Sequence, residues 1–155
     1  MNTLATVPAE SAVLARGVAP HLSPSDGSFA VLLATGDQQV RHALTGILEG
    51  QGVDVEWAKG VESAKRLLTA RDISACLCGF GLEDGSYRDL VKYAKHQPNE
   101  TPVIIISTPS CPNEYGEYLA AMNTGAFDFL CYPYQKREVE RILRLAVASF
   151  RHQIR

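Results

Sequence analysis

Long apolar runs are missing from this chain of 155 residues. Stretches such as Val103 to Ile106 fall far short of the roughly 20 residues that a helix needs to cross a bilayer, so no membrane span is expected. An excess of either charge is missing too. With 15 Lys+Arg against 17 Asp+Glu, the formal net charge is -2, which provides no global attraction to nucleic acid phosphates or anionic lipid. The opening MNTLATVPAE has neither a basic residue nor a sustained apolar stretch, so the marks of a secretory signal are lacking and a cytoplasmic location is expected. Cysteine is scarce. Cys76, Cys78, Cys111 and Cys131 in such a chain read as free thiols and not as a disulfide framework. Cys76 and Cys78 form a C-x-C inside ISACLC, where strand alternation puts both on one face. A structural zinc site would need a second Cys/His pair at zinc spacing, and none accompanies them, so no metal is expected.

What is present suits one folded domain: hydrophobic residues make up 46% and charged residues 21% of the chain, near the averages for globular domains. Residues 1–28 are rich in Ala, Ser and Pro, with Pro20, Pro24 and Gly27 ahead of the first strand-like run. They read as a flexible leader before a domain over 29–152. FAVLLA, from Phe29, is a short continuous apolar run of the kind buried on both faces of a sheet, with Asp37 placed to cap a helix. Val40, Leu44, Ile47 and Leu48 share a helical stripe that Gly50 and Gly52 end. Val53, Val55 and Trp57 alternate with Asp54 and Glu56, as in an outer strand with one exposed face. Val61, Ala64, Leu67 and Leu68 return to helical spacing before ISACLC, a third strand. Ser86 and Asp89 form a capping box for a third helix carrying Tyr87, Leu90, Val91 and Ala94. PVIIIS, from Pro102, is a fourth strand; Tyr115, Leu119 and Met122 space a fourth helix that Gly125 ends. FDFLC, from Phe127, is a fifth strand, and Val139, Ile142, Leu143, Ala146 and Phe150 mark a fifth helix. Strands alternating with helices over short connections call for parallel strands with right-handed crossovers: an α/β, three-layer, doubly wound sheet. Functional groups in such sheets gather at the carboxyl ends of the strands, here Thr35-Gly36-Asp37, Gly79, Ser107-Thr108 and Cys131-Tyr132.

GAFDFLCYPY, from Gly125 to Tyr134, resembles the Gly-Ala-x-x-[Phe/Tyr]-Leu-x-Lys-Pro-[Phe/Tyr] segment of the receiver domains of bacterial response regulators, and PVIIIST precedes it at the usual distance. The resemblance implies a flavodoxin-like fold of five strands in the order 2-1-3-4-5 and a place in two-component signalling and phosphorelay. It also implies an acidic pair for Mg²⁺, a phosphoacceptor Asp, a hydroxyl and a Lys. These roles fall on Thr35 and Gly36, on Gly79, on Ser107 and on Tyr132. Of these, Ser107 alone keeps the family's chemistry. A glycine has no side chain to take a phosphoryl group, and a site stripped of carboxylates is poor in the oxygen ligands that a hard cation needs. Tyr132 and Pro133 are expected to share a cis bond, as the family's Lys-Pro does. The Tyr132 phenol is expected to lie over the vacated pocket near Ser107.

Asp37, Glu83 and Asp84 could form a residual cation site, but a helix cap and loop solvation account for them more simply. Gly79-Phe80-Gly81 lacks the Lys, the Ser/Thr and the length of a phosphate-binding loop. His21, His42, His96 and His152 stand away from the strand ends, so no nucleophile and base pair up and a non-enzymatic domain without cofactor is expected. From Gln135 to Arg155 six basic residues face Glu138 and Glu140, a local balance of +4 that leaves -6 for the rest. A solvated helix face is the plain explanation. Lys136, Arg137, Arg141 and Arg144 are the candidate docking face for an acidic protein partner. No helix-turn-helix segment is expected beside the domain, and nucleic acid is not the expected partner. The expectation is a stand-alone pseudo-receiver signalling module. Its alternatives are a phosphorelay receiver with an unconventional acceptor, Asp84 or Ser107, and a small-ligand binder using the vacated pocket.

Overall fold

A computed structural model describes residues 30–109 and 114–153; the expected leader over 1–28 and Cys111 lie outside the described residues. Five parallel strands, β1 (Ala30–Ala34), β2 (Asp54–Ala58), β3 (Ile73–Gly79), β4 (Val103–Ile106) and β5 (Asp128–Leu130), pair in the order β2-β1-β3-β4-β5. Helices α1 (Gln38–Glu49), α2 (Val61–Ala70), α3 (Tyr87–Lys95), α4 (Glu114–Thr124) and α5 (Lys136–Gln153) follow the strands in turn. The order places β2 at one edge, as its alternating sequence requires, and β1, β3 and β4, whose described residues are all buried, in the middle.

The sheet separates two hydrophobic clusters. On one side Val31, Leu33, Ala75, Leu77, Ile104 and Ile106 meet Val40, Leu44 and Leu48 of α1 and Val139, Ile142, Leu143 and Ala146 of α5. On the other, Leu32, Ala34, Cys76, Cys78 and Ile105 meet Ala64 of α2, Tyr87, Leu90, Val91 and Ala94 of α3, and Ala121 of α4. Alternate residues of one strand thus serve opposite helices, which is the period of two at work. Cys76 and Cys78 share a face for that reason.

Local signals fix the helix starts. Asp37 accepts from the backbone N–H of Gln39 at 2.9 Å and of Val40 at 3.1 Å, capping α1. Ser86 Oγ accepts from Arg88 N–H at 3.2 Å, while Asp89 takes the Ser86 N–H at 3.1 Å, the expected capping box. Gly125 ends α4 at φ +116, a conformation suited to glycine. Two short antiparallel strands, Gly81–Leu82 and Gly85–Ser86, form a hairpin between β3 and α3 that the sequence reading treats as loop.

The α4 stripe requires a correction. Tyr115, Leu119 and Met122 do share a helical face, but Tyr115 is 73% and Leu119 44% exposed. The inward contacts are made by fully buried Ala121 and by Tyr118, whose ring meets Phe129 edge-on at 5.7 Å. Small Ala121 lets α4 pack beside the sheet with Met122 partly buried against the core, and Tyr115 and Leu119 are left facing outward.

Candidate functional site

The carboxyl ends of β1, β3, β4 and β5 bring together the residues that the sequence singles out. Thr35 follows β1 and is buried; its Oγ accepts from the Asp37 N–H at 3.1 Å, and its carbonyl accepts from Trp57 Nε1 at 3.2 Å. Gly36 and Asp37 are exposed. Gly79 is the last residue of β3 and is buried. A Cβ at Gly79 would meet Thr35 Oγ at 3.4 Å, so the threonine side chain occupies the space beside the glycine. Buried Ser107 donates its backbone N–H to the Leu130 carbonyl at 2.9 Å, joining the ends of β4 and β5.

The Tyr132 ring does not fill the pocket. It is 43% exposed and meets the Tyr134 ring edge-on at 5.4 Å. The bond to Ser107 is made by the backbone: Tyr132 N–H donates to Ser107 Oγ at 2.8 Å. The Tyr132-Pro133 bond is cis. In place of Tyr132, it is Tyr134 that turns inward, donating its phenolic O–H to the Ser107 carbonyl at 2.5 Å. Burial, with the nearby Asp37 carboxylate and Tyr132, pushes the Tyr134 phenol well above its ordinary range. Sequence reasoning missed Tyr134; its signal was the aromatic that follows Pro133.

The acidic residues near these strand ends have structural work. Asp37 caps α1. Asp84, at the turn of the hairpin, reaches across to the start of α2, accepting from the backbone N–H of Val61 and of Glu62. Those bonds hold its carboxyl below the usual range. Glu83 lies 4.0 Å from the Lys59 ammonium. Among the described residues no three His, Cys, Asp or Glu side chains form a group fit to hold a metal. Burial pushes the Cys78 thiol far up, with Cys76 adding to it, and its Sγ donates to the Gly79 carbonyl at 3.3 Å. Cys76 is shifted the same way by burial alone. Neither thiol is a nucleophile at neutral pH.

Lys136, Arg137, Arg141 and Arg144 are exposed on α5. Arg137, Arg141 and Arg144 follow one helical stripe, beside Leu145, which is 51% exposed. Two carboxylates of the same helix approach them loosely, Glu138 at 3.9 Å from Arg141 and Glu140 at 3.8 Å from Arg144.

Residues 31–144 match the model of the response regulator receiver domain. The chain belongs to that family. The receiver domain is 29% identical over 119 residues to the response regulator protein PilR of Pseudomonas aeruginosa, a match covering 75% of this chain and 25% of that protein. It is 29% identical over 117 residues to the KDP operon transcriptional regulatory protein KdpE of Escherichia coli, covering 76% of this chain and 50% of the relative. The receiver domain thus spans a quarter to a half of the length of these curated relatives. Two solved structures share its fold. The receiver domain of NtrX from Brucella abortus superposes with a TM-score of 0.68 at 22% identity, covering 77% of this chain and 98% of that one. The receiver domain of the sensor histidine kinase PA1611 from Pseudomonas aeruginosa, with magnesium coordinated in its active site cleft, gives a TM-score of 0.68 at 18% identity, covering 79% and 99%. Among the described residues no helix is long and apolar enough to cross a membrane.

Proposed function

We propose that this receiver domain is a pseudo-receiver, a signalling module that works by protein–protein interaction without aspartyl phosphorylation and without enzymatic activity or a cofactor of its own. The observation that carries this reading is Gly79 at the end of β3 with the Thr35 side chain packed against it. The residue that ends the strand has no side-chain atom to accept a phosphoryl group, and its neighbour just past β1 presents a hydroxyl where a metal site needs carboxylates. The residues present do not fit Mg²⁺: Gly36 and Gly79 have no side chain, and the Asp37 carboxylate is engaged by two helix N–H groups. Asp84 as an unconventional acceptor is disfavoured, because both of its oxygens receive the first N–H groups of α2. Ser107 Oγ is engaged by the Tyr132 N–H.

The partner-docking face is the α5 stripe of Arg137, Arg141 and Arg144, with Lys136 beside its start and Leu145 near its far end. Loose intrahelical carboxylates neutralise such a stripe only partly, since exposed pairs contribute about 0–1 kcal/mol each. An acidic protein surface is the chemistry that it suits.

The test is intact mass after incubation with acetyl phosphate and Mg²⁺. An unchanged mass is expected. A stoichiometric adduct of one phosphoryl group would overturn the pseudo-receiver reading.

A further inference from the structure

A cavity of about 290 Å³ opens at the amino-terminal ends of β4 and β5, the pole opposite the strand ends described above. It is independent of the phosphorylation question. Half-buried Phe127, before β5, provides its apolar wall, with Val91 of α3 and Val103 of β4 almost wholly buried behind the lining, and Lys95, Glu100 and Ser149 form its polar rim. The size is at the low end of small-molecule sites, which run from about 300 to 1,000 Å³, and suits a small metabolite better than a nucleotide.

Two charges of opposite sign stand on this rim, and neither has an ion-pair partner among the described residues. Lys95, the last residue of α3, lies across Gly125: a Cβ there would collide with its stem and come within 3.1 Å of its Nζ. The ammonium is therefore laid over a residue with no side chain, at the cavity edge. Glu100 adopts φ +48, a left-handed conformation that a residue with a side chain occupies at a cost. The carboxyl ends of α3 and α4 stand at this pole, with Lys95 in the last turn of α3 and Gly125 just past α4, and the negative ends of the two helix dipoles favour a cation nearby. A simple carboxylate would satisfy Lys95 and be repelled by Glu100 and the helix ends. A simple amine would meet the reverse conflict at Lys95.

We propose that this cavity binds a small zwitterion of the α-amino acid class with an apolar side chain. The ligand carboxylate pairs with Lys95, its ammonium pairs with Glu100, and its side chain lies against Phe127.

The test is titration of the full chain with L-leucine and with L-phenylalanine, followed by calorimetry and by amide shifts at Lys95, Glu100, Gly125 and Ala126. The controls are 4-methylpentanoate, which lacks the ammonium, and 3-methylbutylamine, which lacks the carboxylate. At least one amino acid is expected to bind in the millimolar range or tighter and to shift those amides, with both controls weaker by about tenfold or more. Lys95→Met and Glu100→Gln should each weaken the amino acid by about tenfold. Glu100→Gly should also lose binding while raising the melting temperature, because glycine adopts φ +48 without strain; a purely structural role for Glu100 would not separate the two readouts. The absence of shifts with both amino acids, a control that binds as tightly as leucine, or an affinity unchanged in Lys95→Met and Glu100→Gln would each overturn the proposal.

Discussion

Thr35 Oγ lies 3.4 Å from the point that a Cβ on Gly79 would occupy, so the ends of β1 and β3 are closed against each other by the threonine hydroxyl and its Cβ. The same hydroxyl holds the Asp37 N–H, which begins the turn into α1. One side chain therefore fills the gap beside the glycine and fixes the entry to the helix that Asp37 caps. The pocket at this corner is closed by Thr35, and the exposed Tyr132 ring has no part in closing it.

Restoring an acid at one position should not restore phosphorylation. In Gly79→Asp the new Cβ fits in van der Waals contact with Thr35, but the carboxylate enters a buried corner whose neighbouring polar group is a hydroxyl already bonded to Asp37. Burying a charge without a counter-charge is unfavourable, and a loss of about 1–3 kcal/mol is expected by urea unfolding at neutral pH. Intact mass after acetyl phosphate and Mg²⁺ should stay unchanged in the same variant. Gain of a phosphoryl adduct would show that the corner supplies more to a metal than its side chains suggest.

The strand runs and the helix caps were legible in the sequence because each rests on local chemistry or on the period of two, whereas the strand order came with the resemblance carried by Gly125 to Tyr134. The α4 stripe was not, since Tyr115, Leu119 and Met122 have the spacing of a buried face, and the choice of Ala121 as the inward residue depends on how closely α4 approaches Phe129. Tyr132 and Tyr134 show a similar limit. Both are tyrosines flanking Pro133, and only the backbone path through that turn decides which ring points toward Ser107. The Asp84 contact with α2 joins residues 23 positions apart, a separation at which helix-cap patterns give no signal.

Asp84 should act on stability through the start of α2. Its depressed carboxyl, held by the N–H groups of Val61 and Glu62, contributes stability above the unfolded value of about 3.9 and loses it as pH falls through the lower folded value. Asp84→Ala is therefore expected to lower the melting temperature at pH 6 to 8, with the gap from the wild type closing toward pH 2. Gly60→Ala should have a similar effect, because its Cβ would come within 2.6 Å of the Asp84 carboxylate and displace it. Thermal scans across pH check both; a gap that persists unchanged at low pH would remove Asp84 ionisation from the explanation.

Tyr87 is 2% exposed, and its hydroxyl has no hydrogen-bond partner among the described residues. Its ring is held by Phe80, edge-on at 5.9 Å, so the ring and not the O–H accounts for its place in the core. Tyr87→Phe removes an unsatisfied polar atom while keeping the packing, and the change should be neutral or stabilising by up to about 1 kcal/mol. A loss above about 1 kcal/mol in urea unfolding would mean that the hydroxyl is hydrogen-bonded in solution.

Tyr134 should make the domain sensitive to alkaline pH. Its neutral phenol donates to the Ser107 carbonyl, and ionisation would remove the donor and place a negative charge in a half-buried position near Asp37. The folded value is raised above the unfolded value of about 10, so the stability it contributes is fully present below pH 10 or so and is lost as pH rises through the folded value. Tyr134→Phe leaves the Ser107 carbonyl without this donor and should cost about 0.5–1.5 kcal/mol at pH 7 to 8. The variant should also lose less stability between about pH 10 and 12 than the wild type, because the phenol that must ionise is gone. Tyr132→Ala provides the contrast: its ring is 43% exposed, and truncation should cost less than about 1 kcal/mol at pH 7 to 8. Urea midpoints at intervals from pH 7 to 11.5 distinguish the two tyrosines. Equal alkaline slopes for wild type and Tyr134→Phe would show that the phenol is not held by the Ser107 carbonyl, and a larger loss for Tyr132→Ala than for Tyr134→Phe would return the closure of this corner to Tyr132.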